Sequence, residues 1–233
     1  MIITNADLRP SIRFIEVIKE YFLANGYTFK KSAKTFVKDF EGGKQDVLLS
    51  FLNLSGGTEA ELIFGITFPE LEKLYAEVKG LNKRKDTGSS LGLELNHLPE
   101  IRYSEQLYSF PLYDNYTFKV DDFSINRAAE GFIKAFEKFV IPFFEHYKFL
   151  HNVEKQLNRL PIEHPVITNW KDKHILFGLV LASYYSKENY NEILNSYKNY
   201  IETMIVPVKI SLNDFLNETK KLITNINVAA LWK

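Results

Sequence analysis

Two glycine pairs constrain this chain more than any other feature. Gly42-Gly43 and Gly56-Gly57 interrupt a stretch rich in β-branched and aromatic residues. They divide it into the runs Tyr27–Phe40, Lys44–Leu54 and Glu59–Phe68, joined through Glu41-Gly42-Gly43 and Ser55-Gly56-Gly57. Turns this short join strands only as antiparallel neighbours, because a parallel pair needs a long crossover. The stretch therefore reads as an antiparallel meander. In Glu59–Phe68, Ala60, Leu62, Phe64, Ile66 and Phe68 alternate with Glu59, Glu61, Ile63, Gly65 and Thr67, as on a strand with one buried face. Val47 to Leu54 is apolar at nearly every position and predicts a central strand covered on both faces.

Helices bracket the meander. Leu8, Ile12, Ile15, Ile18 and Phe22 recur at helical spacing, with Phe14 and Tyr21 widening the stripe. Pro10 falls in the first turn and Gly26 supplies the left-handed residue that ends many helices. After the meander, Thr67-Phe68-Pro69-Glu70 has the pattern of a capping box with Thr67 as N-cap. The helix it opens would bury Leu71, Leu74, Tyr75 and Val78 and close at Gly80. Lys83 to Ser90 is polar and turn-rich, which predicts a mobile loop. Leu91, Leu93 and Leu95 alternate as a further strand, and Tyr116, Phe118 and Val120 as another; Pro99 and Pro111 break the chain between them.

From Asp122 the pattern turns helical to the end. Ile125, Ala129, Phe132, Phe136, Phe139, Phe143, Tyr147, Leu150, Val153 and Leu157 follow three- and four-residue steps for about nine turns. Pro142 inside this run must kink one helix or open a second. Pro161 and Pro165 end it. Ile175–Tyr185 is apolar on nearly all sides, as a helix buried among neighbours would be. Asn189 to Glu192 reads as a second capping box, opening a helix with Ile193, Leu194, Tyr197, Ile201 and Met204 inward. Pro207 would stop that helix, and Ser211 to Asp214 would cap a last one bearing Phe215, Leu216, Leu222, Ile223 and Ile226. The fold class is α+β: an antiparallel meander sheet of about five strands over residues 1–121, packed on helices, then a helical region over 122–233.

Composition narrows function mostly by exclusion. The chain has no cysteine, which removes disulfides, thiolate zinc sites and cysteine nucleophiles, and favours a reducing, cytoplasmic setting. The N-terminus has no signal-peptide pattern, and Ile175–Tyr185 is too short to span a bilayer. Twenty-nine basic residues against 29 acidic ones give no excess for binding phosphate backbones. His97, His146, His151, His164 and His174 never fall three or four apart, so no helix face offers a pair of metal ligands. Neither glycine pair precedes a helix, as a phosphate-binding loop requires, and Ser50, Ser55 and Ser183 lack a Gly-x-Ser-x-Gly elbow. No cofactor or metal is expected.

Three function classes remain. The first is a non-enzymatic protein-interaction module with a protein partner and no membrane attachment. Its candidate surface is the arm bearing Tyr27, Phe29, Lys30, Lys31, Lys34 and Lys38, a basic and aromatic edge able to pair with another chain. Lysines on such an arm also serve simply to protect a sheet edge. The second is a hydrolase or nuclease using histidine and carboxylates such as Glu59/Glu61 or Asp121/Asp122, although the latter pair also suits a helix N-cap. The third is a nucleic-acid-binding accessory using the same lysine arm.

The segments NGYTFKKSAKTFVKDF, DVLLSFLNLS and ELIFGITF, with Gly26, Tyr27, Phe29, Lys31 and Phe36 in place, resemble an uncharacterised bacterial family known as a domain of unknown function. So does FIKAFEKFVIPFFEHY, through Ile141, Pro142 and Phe143. The resemblance covers about Leu8 to Leu160. It implies a helix followed by a hairpin and strand, an immunity-type or partner-binding role, and no catalytic residue.

Overall fold

The computed structural model describes residues 9–81, 89–94, 116–119, 121–159 and 171–226. Leu8, most of the Lys83–Ser90 loop, Leu95, Val120, His97, His164 and Pro99, Pro111, Pro161 and Pro165 lie outside them. The elements run α1 (Pro10–Ala24), β1 (Thr28–Lys30), β2 (Thr35–Phe40), β3 (Gly43–Leu54), β4 (Gly57–Thr67), α2 (Pro69–Val78), β5 (Leu91–Glu94) and β6 (Tyr116–Phe118). Then follow α3 (Asp122–Ala135), α4 (Ile141–Tyr147), α5 (Leu150–Leu157), α6 (Lys171–Tyr185), α7 (Tyr190–Glu202) and α8 (Val206–Asn225). The fold is α+β, with an antiparallel sheet in the N-terminal half and, among the described residues after Asp122, helices only. Two compact units emerge: Met1–Gly65 with Leu93–Glu145, and Ile66–Gly92 with His146–Lys233.

The first unit holds most of the sheet. Its order is β1-β2-β3-β4-β5, with β6 also pairing β4 through Thr58↔Phe118, Glu59↔Thr117 and Ala60↔Tyr116. The first predicted run is two strands rather than one. A 3-10 turn, Lys31–Ala33, and a left-handed Lys34 (φ 50°) fold β1 back onto β2 in the register Thr28↔Val37 to Lys30↔Thr35. The β2–β3 turn closes at the pair Phe40↔Gly43, with Gly42 at φ 88° as the turn chemistry requires. β3 is covered on one face only: Gln45, Val47 and Leu49 are buried, while Leu48 and Leu52 are 36% and 45% exposed. A two-sided apolar sequence permits burial of both faces without compelling it.

The core of this unit is built from rings. Phe22 stacks on Phe36 at 4.3 Å and meets Phe136 at 4.8 Å, and Phe14 meets Phe51 and Phe132 edge-on at 5.9 and 5.5 Å. Phe64 meets Phe143 at 5.0 Å. These contacts tie α1, the sheet and the α3–α4 run together. Phe64 and Phe136 are core residues, as the patterning predicts. In α1 the buried face is Phe14, Ile15, Ile18 and Phe22, so Ile12 lies outside it and is exposed.

Pro142 does not break the helical run: the chain passes from α3 to α4 with helical dihedrals at Phe136 and Ile141. A π-helical turn, Phe136–Val140, sits immediately before it, and the Ile141 amide reaches back five residues to the Phe136 carbonyl. The widened turn accommodates a residue that has no N–H and whose ring crowds the preceding turn. The true break comes later, at extended Phe149 between α4 and α5.

The second unit gathers α2, α5, α6, α7 and α8, with α6 at its centre against the other four. Residues 173–182 of α6 are buried without exception, as its all-round apolar sequence predicts. Leu71, Leu74 and Tyr75 of α2 are buried as expected, and Val78 only partly.

Both predicted capping boxes give way to other solutions. Phe68, not Thr67, is the N-cap of α2; Pro69 occupies its first turn, and the Phe68 amide donates to Ser90 Oγ at 2.9 Å. A proline at the first helical position moves the cap to the residue directly before it. Asn189 makes no capping bond, because the 3-10 turn Lys187–Asn189 leads straight into α7. Pro207 starts α8 rather than ending α7, and Ser211 to Asp214 fall inside α8. Proline is compatible with a first turn as well as with a stop, and sequence alone does not separate the two.

Candidate interaction surface

The predicted arm divides into an inner and an outer set. Tyr27 follows Gly26, whose left-handed φ of 82° turns the chain out of α1, and it drops into the aromatic core. It is only 5% exposed and donates from its hydroxyl to Gln45 Oε1 at 2.7 Å. Burial pushes its phenol well above the ordinary range. Phe29 is half-buried and packs on Phe36 at 4.8 Å. Lys38 is half-buried as well, with its ammonium over the Tyr27 ring at 5.4 Å. These three side chains belong to the packing of the arm.

Lys30, Lys31 and Lys34 form the outer set, and all three are exposed. Lys34 holds its left-handed backbone because its carbonyl accepts from the Leu49 amide at 3.1 Å, while its ammonium lies 5.5 Å from the centre of Phe51. Such a conformation costs about 1–2 kcal/mol for a residue with a Cβ. No feature of the sequence marks Lys34 as left-handed. From Gly26 to Lys38 the arm carries four lysines and no acid, and none of the four forms an ion pair among the described residues. β1 is an edge strand, with β2 as its only neighbour among the described strands.

A second exposed cluster, which sequence reading misses, belongs to the helical unit. Phe149, His151, Tyr185 and Tyr184 follow one another with ring centres 5.9, 6.5 and 4.8 Å apart. Phe149 is 50% and Tyr185 38% exposed. Lys148 sits over Phe149 at 5.2 Å and Lys187 near Tyr184 at 6.0 Å. The row spans the α4–α5 corner and the end of α6, so residues 34 positions apart must meet, and no local pattern announces that.

Most ionisable groups singled out for chemistry are engaged structurally. Asp121 is the N-cap of α3 and accepts from the Ser124 amide at 2.8 Å, which holds its carboxyl below the usual range. Asp122 pairs with Arg13. Glu59 is half-buried on β4. His146 and His151 lie on α4 and α5, on either side of the break at Phe149. His174 is buried, its Nε2 2.8 Å from the Leu157 carbonyl. Among the described residues no group of three or more histidines and acids could hold a metal ion.

The densest buried ionic cluster joins α2 to α6. Lys173 Nζ donates to both Glu72 carboxylate oxygens at 2.9 and 2.8 Å and to the Ser89 carbonyl at 3.2 Å, at 1% exposure. Desolvation lowers its pKa despite the partner. Beside it, Asp172 accepts from the Tyr75 hydroxyl at 3.1 Å and pairs with Lys79 at 2.5 Å. An ammonium chelated by one carboxylate and closed off from water is a structural pin, since a nucleophilic lysine needs access and a free lone pair. Comparison of the chain with protein-family models, with curated proteins and with solved structures finds no match. Among the described residues no helix is long and apolar enough to cross a membrane.

Proposed function

We propose that this protein is a cytoplasmic, non-enzymatic interaction module of the immunity type, and that its edge arm receives an acidic segment of a protein partner. One observation carries the reading: Lys30, Lys31 and Lys34 stand exposed together on the edge hairpin of a chain whose charges balance overall, with no acid within the arm. The absence of cysteine supports the reducing compartment. Charge complementarity of this kind steers encounter and selects partners, while an open strand edge supplies main-chain donors and acceptors.

The test is capture of a stoichiometric protein from cells of the source organism, using wild type and the variant Lys30→Glu/Lys31→Glu/Lys34→Glu. Capture by wild type that weakens with salt and is lost in the triple variant supports the arm. The three side chains are exposed, so each change should alter stability by no more than about 0.5 kcal/mol, read as an almost unchanged Tm. Capture that survives the triple change overturns the reading.

A further inference from the structure

We propose that the ring row Phe149–His151–Tyr185–Tyr184 is a stacking platform for single-stranded nucleic acid, a second surface independent of the lysine arm. The first support is the position of Phe149. It is the N-cap of α5, where Ser, Thr, Asp or Asn would each satisfy an orphan amide, and it makes no capping bond. A phenylalanine there, half open to solvent, adds no side-chain cap to the helix. The second is continuity. Four rings from two separate segments follow one another at 4.8–6.5 Å, tilted or edge-on so that each presents its own face, with both Phe149 and Tyr185 open to solvent.

The third support is charge. Lys148 and Lys187 stand at the two ends of the row. Lys155 lies four residues after His151 on α5, on the same helix face, and is exposed. The acid of α5, Glu154, is turned inward instead, where it accepts from Asn158 and Ser186, both at 2.9 Å. Glu188 remains as an exposed acid next to Lys187. A surface of open rings flanked by cations suits a ligand that is both planar and anionic. Unpaired bases on a phosphate backbone have that chemistry, and stacking on aromatics is tolerant of sequence. An acidic peptide matches the cations but makes no use of the rings.

Fluorescence anisotropy with a labelled 15-residue oligothymidylate, at low and moderate salt, tests the assignment, with an oligouridylate to compare sugars and a polyglutamate of equal charge as competitor. Binding should weaken with salt, and Phe149→Ala/Tyr185→Ala should reduce affinity by roughly 25-fold, about five-fold per ring. Lys155→Glu/Lys187→Glu should flatten the salt dependence while the protein melts at the wild-type temperature. No binding to either oligonucleotide overturns the proposal. So does unchanged affinity in the double-alanine variant, or displacement by polyglutamate at equal concentration. Loss of binding in Lys30→Glu/Lys31→Glu/Lys34→Glu with the ring variant unaffected would move the site to the arm and overturn it equally.

Discussion

The two units of this chain solve the problem of a core in different ways. In the sheet-bearing unit, Phe14, Phe22, Phe36, Phe132 and Phe136 meet ring to ring, with the Tyr27 hydroxyl donating to Gln45 at their edge. In the helical unit, residues 173–182 of α6 are all buried, yet they carry an ammonium, an imidazole and a glycine into the middle of the bundle. Lys173 is chelated by Glu72, and the Tyr197 hydroxyl lies within hydrogen-bond range of Leu157, Asn158 and His174 oxygens at 3.3, 3.1 and 3.3 Å. The Asn158 amide donates to the Gly178 carbonyl at 2.9 Å, and a Cβ on Gly178 would lie 1.9 Å from the Tyr197 oxygen. Ring packing fills volume and tolerates substitutions of similar size; a polar core specifies one arrangement and fails when a single member is removed.

That contrast is most exposed to failure at Lys173. Lys173→Met should cost roughly 3–5 kcal/mol, because it leaves the Glu72 carboxylate buried without its counter-ion. Adding Glu72→Leu to it should restore much of the loss. Urea unfolding of the single and double variants measures both; a single variant as stable as wild type would mean the pair is not the pin described.

The contrast between the two cores reflects what a sequence carries. Rings at helical or strand spacing announce themselves, so Phe64, Phe132 and Phe136 are readable as core from periodicity alone. α6 is readable as buried for the same reason. A lysine with a partner 101 positions away carries no local mark, and neither does a ring row assembled from the starts and ends of separate helices. Errors gather at helix ends, at Thr67, Asn189 and Pro207, where one residue type is compatible with two roles and tertiary placement decides between them. Of the predicted arm, the lysines Lys30, Lys31 and Lys34 were legible as exposed, whereas Tyr27 was not legible as core, because an aromatic next to a glycine satisfies either pattern.

Within the aromatic unit, Phe136→Ala should cost about 3–5 kcal/mol and Phe136→Leu distinctly less, since an apolar side chain of similar bulk keeps most of the contacts with Phe22 and Tyr27. Thermal unfolding checks the pair. Equal losses for the two variants would mean that this core is as exacting as the polar one, and the contrast would collapse.

The smallest effect should appear with pH in the helical unit. Burial, helped by His151 and Lys155, lowers the pKa of His146 below its ordinary value of 6.5. The unfolded chain therefore binds this proton more readily than the folded one. Stability is complete above about pH 6.5 and declines as pH falls toward the lowered folded value. His146→Gln should flatten that decline in a series of melts between pH 5 and 7.5; an unchanged slope would place the titrating group elsewhere.

The π turn before Pro142 has a consequence for chain length. A π turn holds one residue more than an α turn, so the run from Asp122 to Tyr147 counts one residue beyond what a regular helix of the same span would need. Deleting Lys138 would let the ladder close as ordinary α-helix with the flanking turns still in phase, whereas closing the turn as α-helix with every residue kept would rotate everything after it by about 100° relative to everything before. Phe143 and Phe144 would swing away from Phe64 while Phe132 stayed against Phe14. The segment is thus a one-residue phase correction, and a regular α-helix that kept the same count would no longer address the same sheet.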